Sequence, residues 1–273
     1  MAADITMKSR GTAVVTGGRR GIGGATALAL AAQGYAVAVV DMVEDDDARE
    51  TMQSLEKAGE RAMFVLGDIS DIDAASRDGG WLDQIEGRLG AITCLVNNAG
   101  MNVPVRGDLL DTTVDVFDQV LGVNLRGTFF LTLAVAKRMA AGAKVEAELG
   151  TEGKTARSIF VVSSANASMV SPEKGAYCIS KSALPMLAGL FAARLGEYGV
   201  DVYEIQPGLI KTKMNTAVWE RYGKAIAEGA SLTRRWGTPE DVGQVITSIA
   251  TGLLPFTTGT MVPVGGGLHV HRL

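Results

Sequence analysis

The chain has 273 residues, of which 47% are hydrophobic and 21% charged, with 34 glycines but only 7 prolines. That composition excludes a collagen-like fibre, which needs Gly at every third position and abundant Pro, and a disordered chain, which lacks the apolar residues for a core. The net charge of -4 argues against nucleic acid as the main partner, since phosphate binding wants a basic face. Cys94 and Cys178 lie far apart, which suggests a reducing compartment without a disulfide framework.

Residues 11–16 (GTAVVT) read as a short buried strand and residues 20–33 as a helix closed by Gly34. Residues 36–40 form a second strand ending at Asp41, residues 46–57 a helix, and residues 62–66 a third strand. A polar helix is expected over 74–88, a fourth strand over 92–96 and a long helix over 113–141. Residues 158–162 are a fifth strand, 176–198 a helix, 200–205 a sixth strand, 239–250 a helix and 260–264 a last strand. Lys8, Arg10, Arg19 and Arg20 precede an uncharged run over 21–40 that is long enough to imitate a membrane span. Its four glycines and its midway change to the Val-rich AVAVV fit a helix, a Gly stop and a buried strand better, so no membrane is expected.

Strand and helix alternate throughout, and the strands are apolar on both faces, as parallel strands covered by helices must be. The pattern predicts an α/β fold in one domain over 1–273, a doubly wound parallel sheet of about seven strands with helices on both faces. Two segments break the rhythm. Residues 142–157 are a polar connector or helix extension, and residues 211–236 are placed to form a lid, because ligands of such sheets lie at the carboxyl ends of the strands.

The first strand runs into Thr16-Gly17-Gly18-Arg19-Arg20-Gly21-Ile22-Gly23, a G-x-x-x-G-x-G variant of the dinucleotide fingerprint. Glycine there removes the Cβ that would hold a pyrophosphate off the backbone, and free N–H groups at the helix start face the anion. Asp41, 18 residues beyond Gly23, is placed to accept hydrogen bonds from ribose hydroxyls. It repels a 2′-phosphate and so favours NAD(H). Arg19 and Arg20 pull the other way, which keeps NADP(H) open.

Tyr177 and Lys181 stand four apart, on one helical face. A nearby ammonium lowers a phenol's pKa towards the useful range for acid–base work. Ser164 follows the fifth strand, thirteen residues before Tyr177, where a hydroxyl can hydrogen-bond a substrate carbonyl.

Together with TGGRRGIG over 16–23, Asp68, NNAG over 97–100, Asn124, Ser164, YCISK over 177–181, Pro207-Gly208 and Thr212, these residues resemble the short-chain dehydrogenase/reductase family. The resemblance covers about residues 12–267 and implies a Rossmann-like fold. It implies Tyr177 as general acid in ketone reduction and base in alcohol oxidation, Lys181 as the group that lowers its pKa and holds the nicotinamide ribose, and Ser164 as the carbonyl anchor. Asn124 would anchor a water linking Lys181 to solvent. It further implies Gly17, Arg20, Gly21, Ile22, Gly23 and Asp41 at the cofactor's phosphates and ribose, and Asp68 and Ile69 at adenine. Asn98, Ala99 and Gly100 would lie beside the adenosine ribose, and Pro207, Gly208, Ile210 and Thr212 at the carboxamide. No metal is implied.

Within the family the chain looks most like the 3-oxoacyl-acyl-carrier-protein reductases and the sugar or polyol dehydrogenases. The expected substrate is a secondary alcohol or ketone, either a 3-oxoacyl thioester or a sugar or polyol. Homotetramers or homodimers through the helices over 113–141 and 176–198 are implied by the family, and the absence of targeting signals suggests a cytoplasmic protein. Three features depart from the pattern: Gly265 stands where relatives often have an acid, the connector over 142–157 is long, and Pro185 falls inside the catalytic helix, which it should bend. Met214, Trp219 and Tyr222 suggest an apolar lid wall, while Arg234 and Arg235 read as a solvated pair. His269 and His271, both in the last five residues, fit neither a hydrolase triad nor a metal site, and Cys178 reads as packing. The competing functions are a methyltransferase, which has no need of Tyr177 with Lys181, and a catalytically idle dinucleotide-binding regulator.

Overall fold

The computed structural model describes residues 10–59, 61–150 and 155–271; Lys8 and residues 151–154 of the expected connector lie outside them. Seven strands, β1 (Thr12–Thr16), β2 (Ala36–Asp41), β3 (Ala62–Leu66), β4 (Ile92–Asn97), β5 (Arg157–Val162), β6 (Val200–Pro207) and β7 (Met261–Val264), make one sheet in the order β3-β2-β1-β4-β5-β6-β7. Every pairing is parallel. The winding direction reverses between β1 and β4, which opens the crevice where such sheets take their ligands.

The helices are α1 (Gly21–Ala31), α2 (Asp46–Lys57), α3 (Ile72–Ser76), α4 (Trp81–Leu89), α5 (Val114–Leu121), α6 (Thr128–Glu148), α7 (Gly175–Ser182), α8 (Leu184–Leu195), α9 (Trp219–Ala227) and α10 (Pro239–Ala250). Strand alternation sorts them into two layers. Ala13, Val15, Val37 and Val39 pack against α1 and α10 through Leu30, Val242 and Ile246. Val14, Ala38, Leu95 and Ile159 face α4, α6 and α8 through Ile85, Leu131 and Leu187. The uncharged run over 21–40 is therefore α1, a Gly34 turn and β2, all part of this core.

Three helices differ from the sequence expectation. The one expected over 74–88 is two, α3 and α4, because Gly79 adopts φ +73 and Gly80 caps α4 in extended backbone. The long helix over 113–141 carries a π-helical stretch, Gly122–Gly127, between α5 and α6. It also continues to Glu148, so residues 142–148 of the connector are a helix extension. Arg157, 7% exposed, closes this segment by donating to Glu146 Oε1 at 2.6 Å and Oε2 at 3.1 Å, and Thr155 Oγ1 donates to Glu146 at 2.8 Å. The Arg157 guanidinium holds the Glu146 carboxyl down to about 2.

The helix over 176–198 breaks at Ala183, two residues before Pro185, which has no N–H to continue the ladder. The composite helices Val114–Glu148 and Pro172–Tyr198 are long and apolar enough to cross a bilayer, yet each packs one face onto the sheet.

Candidate active site

The Gly turn folds tightly on itself. A Cβ on Gly23 would lie 2.2 Å from the Gly17 carbonyl oxygen, so this glycine serves the turn's own packing. Gly21, with φ +56, meets only Thr212 Cγ2 at 3.8 Å and faces open space. No side chain caps the start of α1, and its first turn holds no acid. The N–H groups there suit an anion. The fit to a dinucleotide's pyrophosphate is thus good, though the clearance for it comes at Gly21 and not at every glycine of the turn.

The strand stop after β4 braces this turn. Asn98 N and Ala99 N donate to Thr16 Oγ1 at 3.1 and 3.0 Å, and Asn98 Nδ2 donates to the carbonyls of Thr16 and Gly17 at 3.0 and 3.1 Å. Thr16 and the Asn98 amide are structural partners that the sequence pattern did not separate from ligand contacts.

At the end of β2 the opposing charges found in the sequence pair with each other. Arg19 Nε lies 3.2 Å from Asp41 Oδ1, and Arg19 Nη1 also bonds Asp45. Arg20 Nη1 lies 2.9 Å from Asp47, which also takes Lys213 Nζ from the lid at 2.5 Å. The Lys213 and Arg20 hydrogen bonds hold the Asp47 carboxyl below the usual range. Asp68 accepts from both Ser70 N and Ser70 Oγ at 2.8 Å and shapes the turn after β3, while Ile69 is buried.

Beyond β5, Ser164 caps a short turn by accepting from Asn166 N at 3.1 Å, and its hydroxyl also hydrogen-bonds Tyr177. Lys181, 5% exposed, donates to the Val162 carbonyl at 2.9 Å, and its Nζ lies 5.9 Å from the Tyr177 ring centroid. Burial pushes the Lys181 pKa down to about 8. The Tyr177 phenol is correspondingly not lowered. Burial raises it, and the Ser164 hydrogen bond and the Arg106 charge offset only part of that rise. The expected lowering by Lys181 does not act on the phenol here; the ammonium turns to the Val162 carbonyl.

Asn124 is fully buried in the π-helical stretch. It donates to Met101 O and Ser180 Oγ, each at 2.9 Å, and accepts from Met101 N at 2.8 Å. Its side chain therefore locks the loop after β4 to α7. Gly100 faces both groups: a Cβ there would stand 3.2 Å from Asn124 Oδ1 and 3.4 Å from Lys181 Nζ.

One cavity of about 530 Å³ gathers Ser164, Tyr177 and Lys181 with Ile22, Asn98, Gly100, Pro207, Gly208, Ile210 and Thr212. Gly17, Arg20, Gly21, Gly23, Asp41, Asp68, Ile69, Ala99 and Asn124 do not line it. The segment expected as a lid, residues 211–236, contributes Met214 and Tyr222 to the wall but not Trp219, whose Nε1 donates to Asn215 Oδ1 at 2.8 Å under Lys211. Arg235 pairs with Asp241 at the start of α10, and Cys178 Sγ lies 3.7 Å from the Ser171 carbonyl. His269 and His271 are exposed, and the described residues contain no cluster suited to a metal. Gly265 packs against Gly208, whose added Cβ would lie 2.6 Å from Gly265 Cα.

Sequence reasoning missed Arg106, Asn166, Lys174 and Arg221, all of which line the cavity. Lys174 carried a signal, a lysine three residues before Tyr177 at the start of an apolar helix. Arg106 lies in a loop without pattern.

A family model described as enoyl-(acyl carrier protein) reductase matches residues 17–269. The short-chain reductase protein NovJ of Streptomyces niveus is 34% identical over 97% of this chain and 96% of its own length. L-Rhamnose 1-dehydrogenase (NADP(+)) of Thermoplasma acidophilum is 31% identical over 95% of this chain and 96% of that protein. The crystal structure of 3-oxoacyl-[acyl-carrier protein] reductase from Brucella melitensis in complex with NAD superimposes with a TM-score of 0.88 at 38% identity, covering 97% of this chain and all of that one.

Proposed function

This chain belongs to the short-chain dehydrogenase/reductase family and is a dehydrogenase/reductase; we propose that it interconverts a secondary alcohol and a ketone with a nicotinamide cofactor. The observation that carries this reading is the convergence of Ser164, Tyr177 and Lys181 with Ile22, Asn98 and Gly100 on one cavity. When bound, the nicotinamide supplies or takes the hydride.

The Gly turn, through Gly17, Gly21, Ile22 and Gly23 with Arg20 beside it, would hold the pyrophosphate. Asp41 would take the adenosine ribose, Asp68 and Ile69 the adenine, and Asn98, Ala99 and Gly100 the floor beside them. Lys181 and Tyr177 would hold the nicotinamide ribose, and Pro207, Gly208, Ile210 and Thr212 the carboxamide. Tyr177 gives its proton to the carbonyl oxygen in reduction and takes it back in oxidation, while Ser164 donates a hydrogen bond to the same oxygen. Asn124 keeps α7 in register by bonding Ser180, one residue from Lys181.

NAD(H) is the preferred cofactor in this reading. Asp41 favours free ribose hydroxyls, and both nearby guanidinium groups are engaged, Arg19 by Asp41 and Asp45 and Arg20 by Asp47. The substrate arms are a 3-oxoacyl thioester and a sugar or polyol, after the reductase from Brucella and the rhamnose dehydrogenase. A homo-oligomer is also proposed, on the strength of the exposed Phe130, Ile179, Met186 and Leu190 of α6, α7 and α8.

A turnover panel of ketones, acyl thioesters and sugar alcohols, run with both cofactors, tests the function. Turnover of at least one class, removed in Tyr177→Phe, is expected. Unchanged turnover in that variant would overturn the assignment.

A further inference from the structure

We propose that the substrate carries a terminal oxyanion, a carboxylate or a phosphate monoester, and that Lys174, with Arg106 and Arg221, selects it. The proposal rests on the redox reading above, a secondary alcohol or ketone as substrate, and favours one that is short and anionic at its far end over the neutral thioester, sugar and polyol arms.

The charge inside the catalytic cavity opposes that of the chain. The whole protein carries a net charge of -4, yet the cavity wall holds Arg106, Lys174 and Arg221 in addition to Lys181, and the one acid on it is Glu173. Glu173 cannot satisfy all of them. It takes Arg221 at 2.8 Å and lies 3.8 Å from Arg106 Nη1, which is buried and has no hydrogen-bond acceptor. The Tyr222 hydroxyl accepts from Arg221 at 3.0 Å, and Arg106 and Lys174 act on the same phenol; among the described residues of the wall the cations still outnumber the one carboxylate, and low-dielectric walls focus such a field onto an entering anion.

Lys174 is the centre of this arrangement. It is 8% exposed, gives a hydrogen bond to Asn166 Oδ1 at 2.6 Å, and makes no ion pair among the described residues. Burial depresses its pKa and the Arg106 charge adds to that, while Tyr222, Cys178 and Glu173 offset part of it. An ammonium has three N–H donors, so the Asn166 bond leaves two for a ligand. A contact that only tied the residue ahead of α7 to the Asn166 turn would not require a charge, because a buried charge without an ion pair opposes folding.

Position fixes the kind of substrate. Lys174 Nζ lies 4.9 Å from the Tyr177 ring centroid, closer than Lys181 Nζ at 5.9 Å. An oxyanion held at Lys174 thus stands only a few bonds from a carbonyl held by Tyr177 and Ser164, and Arg106 adds a second set of N–H donors. Met169 and Met214 on the same wall cover the short carbon chain between the two ends. The anionic group would take no part in the redox step: in oxidation a bound nicotinamide would accept the hydride from the alcohol carbon, the Tyr177 phenolate would take the O–H proton, and the oxyanion would stay unchanged. Lys174 is a specificity-determining residue.

The test titrates the full-length protein calorimetrically with butanoate, propyl phosphate and neutral butanamide at fixed ionic strength. At least one of the two anions is expected to bind about tenfold or more tighter than the amide. Lys174→Met should remove that preference and Lys174→Arg should restore most of it. Arg221→Gln, on a side chain 54% exposed, gives a second reading at a position that does not hold the core. Equal binding of amide and anions by the wild type, or a preference that survives Lys174→Met, overturns the proposal.

A kinetic arm compares 3-oxobutanoate with its methyl ester, which share the reacting carbonyl. The acid is expected to have the lower KM, and Lys174→Met to lower its kcat/KM relative to that of the ester. Turnover of both with equal KM would sink the anion site and leave the redox reading standing. Anion-selective binding without turnover of any ketone would do the reverse.

Discussion

Arg19 and Asp41 form an ion pair, Nε to Oδ1 at 3.2 Å, with side chains only 13% and 11% exposed. The acid that favours a free ribose and the base that could greet a 2′-phosphate hold each other. Replacing Asp41 by Ala should leave Arg19 to Asp45 and Asp47 and remove a negative charge from the ribose end. The ratio of kcat/KM for NADP(H) over NAD(H) is expected to rise about tenfold. An unmoved ratio would show that cofactor choice is made elsewhere.

Tyr177→Phe removes one oxygen from the cavity without touching the Gly turn or the Asn98 brace. Turnover should fall by about 10²–10⁴-fold, while NADH affinity, measured by fluorescence titration, stays within about twofold. A large loss of cofactor affinity would make Tyr177 chiefly a ribose anchor.

Lys181 is an ammonium held in the core at a cost. Its folded pKa of about 8 lies below the ordinary 10.5. The penalty is therefore complete below pH 8 and fades as the native state sheds the proton between about 8 and 10.5. Lys181→Met is expected to raise stability at pH 7 by about 2 kcal/mol, after allowing ~1 kcal/mol for the lost bond to Val162. The gain over wild type should shrink as the pH rises above 8. Urea unfolding at several pH values reads this directly, and a variant less stable than wild type at pH 7 would contradict it.

Glu146 has the opposite sign. Its carboxyl, held at about 2 against an ordinary 4.5 by the Arg157 fork, contributes stability that is complete above about 4.5 and lost as the pH falls towards 2. Glu146→Gln should cost about 1–2 kcal/mol at pH 7 and flatten the acid limb of the stability profile. Comparable acid sensitivity in variant and wild type would count against the fork.

Where structure follows from neighbouring residues, the sequence was readable. Residues 46–57 and 239–250 are helices as expected, because Asp45 caps Ala48 N and because Thr238 and Asp241 form a capping box ahead of Pro239. The Asp78-Gly79-Gly80 turn was equally local, yet the polar helix expected over 74–88 ran straight through it. The π-helical stretch has no such local signal; its register is held by Asn124 reaching Met101 and Ser180, two segments remote in the chain. Ser164, Tyr177 and Lys181 were legible through their spacing. The cavity's cations were not, because Arg106, Lys174 and Arg221 come together only in three dimensions, from a loop, a helix approach and the lid.

The Thr16–Asn98 brace has a consequence for the thermodynamics of ligand entry. The strand stop after β4 fastens the Gly turn with four hydrogen bonds made entirely within the protein. The loop proposed to receive the pyrophosphate is thereby fastened before any nucleotide arrives, and its conformational entropy is expected to be surrendered during folding instead of at the encounter. Cofactor association should then show little of the ordering signature of an induced loop closure, and the crevice between β1 and β4 should melt only with the sheet itself.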